Sequence, residues 1–198
     1  MNLRYFLIYK PFGMLSQFSK EGDKPTLADL PFEFPKDVYP VGRLDADSEG
    51  LLLLTNDTRL NHRLLDPKYE HQRTYFVQVE GQITPAACQQ LQTGVTISIN
   101  GKTHRTLPAQ AQLLTIEPLL PERNPPIRFR QNIPTSWLAL TLHEGKNRQV
   151  RRMTAAVDFP TLRLVRAAIE AVELGQMQPS QVIEVERNWL LKQLRMKQ

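Results

Sequence analysis

Three carboxylates stand at alternate positions, Asp45, Asp47 and Glu49, in the segment Gly42-Arg43-Leu44-Asp45-Ala46-Asp47-Ser48-Glu49-Gly50, which runs straight into Leu51 to Leu54. Acids this dense suit a divalent cation, a general acid and base, or a single activated nucleophile. The first option fails on spacing. Counted from Asp45, position 12 of a calcium loop is Asn56, where a bidentate glutamate belongs, and leucines fill positions 7 to 10. Paired carboxylates for glycosidic chemistry would have to converge on one bond. Alternate positions on a turn do not force that. The plainer reading is a polar turn between two strands. Arg43 adds information, because a carboxylate near a guanidinium stays ionised and oriented, as a nucleophile must be. The buried leucine strand that follows would anchor such a group to the core.

A second constellation is basic. The 198-residue chain carries 25 Lys+Arg against 20 Asp+Glu, a net charge of +5. Between His143 and Arg166 there are Lys146, Arg148, Arg151, Arg152, Arg163 and Arg166 against only Glu144 and Asp158. Four of the five net charges fall there. Arginine outnumbers lysine 16 to 9, and its rigid fork matches phosphate. A phosphate-rich partner is the inference; a solvated basic face is the alternative. On a helix beginning near Asn147, Arg148, Arg151 and Arg152 share one sector while Val150, Met153 and Val157 lie opposite. Only Glu144 stands at a pairing distance, N-terminal to Arg148, so the stripe reads as largely unneutralised.

The elements that would position these groups follow from periodicity. Strand signals cover residues 3 to 9, 73 to 80, 95 to 99, 109 to 116, 137 to 142 and 161 to 166. Helices are expected after Asp57, with Leu60 and Leu64 at i,i+4, and after Thr84, an N-cap before Pro85 with Gly94 as the stop. Strands outnumber helices without alternating regularly, so the class is α+β with a largely antiparallel, mixed sheet flanked by helices and loops. The proline-rich stretch Pro118 to Pro134 reads as a long mobile loop. One domain over 1–198 is expected, with a soft division into 1–66 and 67–198. The 41% hydrophobic and 23% charged composition fits a globular protein. No apolar run approaches the length of a membrane span, and no signal segment opens the chain, so a cytoplasmic protein without membrane partners is expected. The single Cys88 reads as a small buried side chain in a reducing compartment.

The carboxylate segment, extended from Gly42 to Asp57, resembles the catalytic motif of the RsuA/RluB/RluE/RluF branch of pseudouridine synthases. Further blocks agree in order: Tyr9-Lys10-Pro11-Phe12-Gly13 with the opening motif, Arg73-Thr74-Tyr75 with the tyrosine motif, and Glu144 to Met153 with the basic helix motif. Leu164-Val165-Arg166-Ala167-Ala168-Ile169 is similar to the last motif, which ends in glycine in much of the family; here Glu170 takes that place. Many relatives carry an S4 RNA-binding domain before the opening motif. Only eight residues precede Tyr9, so a catalytic fold without the S4 domain is expected.

The resemblance implies isomerisation of uridine to pseudouridine in 23S ribosomal RNA, without metal or organic cofactor. It assigns initiation to Asp45, stacking on uracil and help with proton transfer to Tyr75, and pairing with Asp45 to Arg166. Leu164 joins Tyr75 in the uracil pocket. Arg43, Lys146, Asn147, Arg148, Arg151 and Arg152 are the candidate RNA contacts, with hairpins or single-stranded loops as targets, since side chains cannot read the narrow A-form major groove. A monomer is expected. The competing readings are a noncatalytic RNA-binding factor and a metal-dependent phosphoesterase built on Asp45, Asp47 and Glu49.

Overall fold

The computed structural model describes residues 2–127 and 130–196. The chain starts with β1 (Tyr5–Lys10), β2 (Tyr39–Pro40) and β3 (Glu49–Thr55), followed by α1 (Thr58–Leu65), β4 (Arg73–Glu80) and α2 (Pro85–Thr93). Next come β5 (Thr96–Ile99), β6 (Lys102–Arg105), β7 (Gln110–Leu114), β8 (Thr135–Leu142) and α3 (Gln149–Ala156). The last elements are β9 (Thr161–Ile169), β10 (Val172–Glu173), β11 (Val182–Glu184) and α4 (Arg187–Gln193). Among the described residues nine strands form one sheet along the path β11-β1-β3-β9-β4-β8-β7, with β10 added to β9 and β2 to β3. The pairings are antiparallel except between β3 and β9. β5 and β6 form a separate hairpin. The sheet crosses the soft boundary near residue 66, because β3 before it pairs with β9 after it.

The leucine strand is central because both of its faces are covered. Leu51 and Leu53 pack with Tyr5, Leu7 and Tyr9 against α1 and α4, whereas Leu52 and Leu54 pack with Phe6 and Ile8 under Leu27, Leu30 and Val38. A strand buried on both sides must be apolar without alternation. A third cluster covers the β4 end, where Val77, Val79, Leu138 and Leu164 meet Leu91 of α2, Val150 and Met153 of α3, and Val157 just beyond it. The apolar side of the basic helix therefore faces the core as its periodicity predicts.

Asp57 caps α1 through Arg59 N and Leu60 N, and Thr84 caps α2 ahead of Pro85. Cys88 is buried, which pushes its thiol pKa up. The proline-rich connection between β7 and β8 carries no strand or helix in its described residues, but it is pinned in several places. Pro121 O accepts from Arg163 at 2.8 Å, and the Arg123 guanidinium, bonded to Pro125 O and Pro126 O, lies 4.3 Å from the centre of the Phe12 ring. A freely mobile loop would not make these contacts. No helix among the described residues is long and apolar enough to cross a membrane.

Candidate active site

Strand register lines up one row across the sheet. Lys10 of β1 faces Gly50 of β3, Gly50 faces Arg166 of β9, and Arg166 faces Tyr75 of β4. The β9–β4 register slips between Thr74 and Tyr75, so that Ala167 is the extra residue. A bulge re-aims the side chains beside it. Gly50, at φ +103°, makes this row close: a Cβ there would collide with the backbone N and O of Arg166. Only glycine accepts both the positive φ and the approach.

Asp45 stands on the tight turn that enters β3, and each neighbouring residue is tied down. Ser16 Oγ, buried, accepts from Leu44 N at 3.0 Å and donates to Leu44 O at 2.9 Å. Ala46 O accepts from Gly13 N at 2.7 Å and from Lys10 Nζ at 3.5 Å. Asp47 O accepts from Arg151 Nη2 at 2.6 Å. Asp45 itself keeps a side chain 38% exposed, with one guanidinium nitrogen, Arg148 Nη1, at 3.7 Å.

The other two carboxylates point to different duties. Asp47 receives both Nη atoms of Arg148, at 2.9 and 2.8 Å, and lies 3.4 Å from Arg151 Nε. Partial burial works to raise the Asp47 pKa, but the Arg148 hydrogen bonds and the charges of Arg151 and Arg148 outweigh it and hold the pKa below the usual carboxylate range. Glu49 is buried in a fork with Arg163, at 2.9 and 2.8 Å. No group of three or more His, Cys, Asp or Glu side chains among the described residues gathers as a metal site. The ion pairs give the physical reason: two of the three acids are already turned toward arginines.

Under the turn lies Lys10, with no solvent exposure, its ammonium donating to Pro11 O at 3.0 Å and Met14 O at 2.7 Å as well as to Ala46 O. Burial pushes its pKa down to about 7, against the pull of Glu49, Asp47 and Asp45. Arg166 is buried too. Its Nε donates to Leu51 O at 2.7 Å, its Nη2 has no hydrogen-bond partner, and burial lowers its pKa while Tyr75 works the other way.

An open cleft of about 830 Å³ brings these groups together. Arg43, Asp45, Tyr75, Leu164 and Arg166 line it, and so do Lys146, Asn147 and Arg148. That volume suits a small-molecule-sized group such as a nucleoside.

Several sequence expectations change here. The basic helix starts at Gln149 rather than near Asn147, because Arg148 sits in the left-handed region at φ +52°. Glu144 does not pair with Arg148; it accepts from Gln149 Nε2 and Leu107 N and meets His104 Nε2. The arginine stripe is neutralised in part, at Arg148 and Arg151, while Arg152 is bonded, among the described residues, only to neutral groups. Arg148 and Arg151 hold Asp47, and Arg152 donates to Ser98 O and to Asn147. Among the described residues the ion partner of Asp45 is Arg148; neither Arg43 nor Arg166 forms an ion pair with it. Arg166 shares the cleft with Asp45 but faces Tyr75 across the bulge.

The geometry has counterparts in known proteins. The RNA pseudouridylate synthase family matches residues 4–156. The chain belongs to this family, whose members are isomerases acting on RNA. A ribosomal large subunit pseudouridine synthase E from Xanthomonas campestris pv. campestris is 49% identical over 175 residues, covering 88% of this chain and 91% of that protein. One from Vibrio parahaemolyticus is 48% identical over 186 residues, covering 93% of this chain and 75% of the other. Ribosomal large subunit pseudouridine synthase B of Bacillus subtilis is 38% identical over 82% of this chain and 59% of its own length. A crystal structure of a pseudouridylate synthase superposes with a TM-score of 0.78 at 25% identity, over 97% of this chain and 74% of that one.

Proposed function

We propose that the protein converts a uridine of 23S ribosomal RNA to pseudouridine, with Asp45 starting the reaction. The N1–C1′ bond breaks, the uracil turns, and a C5–C1′ bond forms. C5 gives up its proton and N1 gains one, so substrate and product are isomers. Asp45 acts at C6 of the ring, at C1′, or as a base; the three routes share the same residue and the same apparatus.

The observation that carries the reading is the placement of Asp45 on a turn clamped at Leu44, Ala46 and Asp47, in one cleft with Tyr75, Leu164 and Arg166. A reacting carboxylate needs this rigidity, because small displacements erase the benefit of orientation. Tyr75 supplies a ring to stack on the extruded uracil, with Leu164 beside it. Arg166 brings a buried guanidinium nitrogen without a protein partner. A flipped base forfeits stacking worth a few kcal/mol, and an aromatic platform with cations for the flanking phosphates offsets that loss. Arg43 and Lys146, exposed at the cleft, fill the second role, with the Asn147 amide beside them and Arg148 held by Asp47. Arg151 and Arg152 serve RNA indirectly, by holding the Asp45 turn and the β5–β6 hairpin. RNA presented as a hairpin or single-stranded loop fits an open cleft, and one chain furnishes the whole site, in keeping with a monomer.

The phosphoesterase reading loses its second and third carboxylates to Arg148 and Arg163. To test the proposal, a 23S ribosomal RNA transcript is incubated with the protein and its pseudouridines are mapped chemically. The wild type should modify a defined uridine. Asp45→Asn should bind the transcript comparably and modify none. Modification at the wild-type rate by Asp45→Asn would reject the assignment, and no modification by either protein would favour a noncatalytic RNA-binding factor.

A further inference from the structure

The segment between α1 and β4 forms a rim of the cleft that neither the motifs nor the reaction uses. Its own charges are Asp66, Lys68 and Glu70, and Arg59 and Arg63 of α1 and Arg73 of β4 flank it. A single 3₁₀ turn, Pro67–Tyr69, is opened by Asp66, which caps Lys68 N, and closed by Glu70 in the left-handed region at φ +49°. This short, capped turn holds Tyr69 out, 41% exposed. Lys68 Nζ lies 4.8 Å and the Arg63 guanidinium 5.6 Å from the centre of the Tyr69 ring.

His71 stands behind it, with ring centres 6.2 Å apart and planes 33° from parallel. Its Nδ1 lies 3.0 Å from Glu170 Oε1, which also accepts from Gln72 N at 2.8 Å. A carboxylate only accepts, so Nδ1 carries the hydrogen and Nε2 is the ring nitrogen left for a ligand. That Nε2 is buried without a hydrogen-bond partner. Unpaired buried polar atoms are uncommon and need an explanation. The imidazole is nine-tenths buried, and His71 lines the same cleft as Asp45, Tyr75 and Arg166. His71 lies four positions before Tyr75, outside β4, on the side of the cleft formed by the α1–β4 connection.

We propose that Tyr69 and His71 form a second nucleotide subsite, where a base flanking the target uridine stacks on the Tyr69 ring and a polar group of that nucleotide meets His71 Nε2. The inference rests on the RNA reading above and adds a contact to it. Stacking on an aromatic ring tolerates any base, while a ribose 2′-OH, which both donates and accepts, supplies the polar group.

The test uses full-length protein carrying Asp45→Asn, so that binding is measured without turnover, and a 23S ribosomal RNA transcript that the wild type modifies. Adding Tyr69→Ala should raise the dissociation constant about tenfold. Tyr69→Phe, which keeps the ring, should stay within about twofold. Ultraviolet crosslinking with peptide mass spectrometry should place a nucleotide on the peptide containing Tyr69. Exposed Tyr69 can be replaced without unfolding the chain, so equal affinity for Tyr69→Ala would overturn the subsite, as would Tyr69→Phe as weak as alanine. Should the wild type modify no uridine in any transcript, the function reading itself fails, and the subsite falls with it.

Discussion

Lys10 is a buried amine held by the carbonyls of Pro11, Met14 and Ala46, and its titration makes it a pH-dependent element of stability. Its pKa is about 7 in the folded protein, against 10.5 for a free lysine, because burial disfavours the ammonium. Between those two values the unfolded chain holds a proton that the folded chain has released. Stability contributed by this residue therefore rises with pH from about 7 to about 10.5 and is flat below, where both states are protonated. Lys10→Met removes the titration. Urea midpoints measured from pH 6 to pH 10 should show Lys10→Met gaining most over the wild type at the acid end, with the gap shrinking or reversing as pH rises. Parallel curves would mean that Lys10 stays charged throughout. Activity should fall in the same variant, because the Ala46 carbonyl beside Asp45 loses one of its two donors.

Among the elements, the parallel contact between β3 and β9 is narrow but the most consequential, since it sets Arg166 against the strand that Asp45 precedes. It spans only Glu49↔Val165 and Gly50↔Arg166. Gly50→Ala adds a methyl group against the Arg166 backbone at a φ that L-residues resist. Overpacking and strain together should cost about 1–3 kcal/mol or more, read from chemical unfolding, with activity lost even where the fold survives. Leu53→Ala, on the same strand but away from that contact, should cost about 2–5 kcal/mol through its cavity while folded molecules keep more of their activity. The β3 leucines, both helix caps and the strands around Tyr75 and Arg166 were legible in the sequence because local chemistry dictates them: apolar runs, Asp57 and Thr84 before helices, alternation in 73 to 80. The short strands β2, β10 and β11, and α4 with its seven residues, carry too few residues for a period to emerge. The site was legible as a set of residue types but not as a set of partners. Asp47 and Arg148 are 101 residues apart, and Glu49 and Arg163 are 114 apart, so only the sheet register reveals who neutralises whom. The Arg148 backbone, in the left-handed region, likewise breaks the helical pattern on which the arginine stripe was drawn.

For the molecule as a whole, the net charge of +5 predicts salt-sensitive RNA binding, but the structure redistributes the work among its cations. Arg43 and Lys146 are exposed at the cleft without an ion-pair partner among the described residues, whereas Arg148, Arg151 and Arg152 are engaged by Asp47, Ser98 and Asn147. Counterion release counts cations that reach phosphate, not cations spent inside the fold. Arg43→Gln and Lys146→Gln should therefore each weaken binding to unrelated RNAs by similar factors and lower the slope of log affinity against log salt by about 1. Arg151→Gln should behave differently. Its guanidinium is mostly buried and holds the Asp47 carbonyl, so its loss should depress turnover more than affinity and leave the salt slope nearly unchanged. Titrations of an unmodified transcript at several potassium chloride concentrations, paired with single-turnover rates, separate the two classes. If Arg151→Gln flattened the salt slope while Arg43→Gln and Lys146→Gln left it intact, the division between phosphate contacts and loop supports drawn from the ion pairs would be reversed.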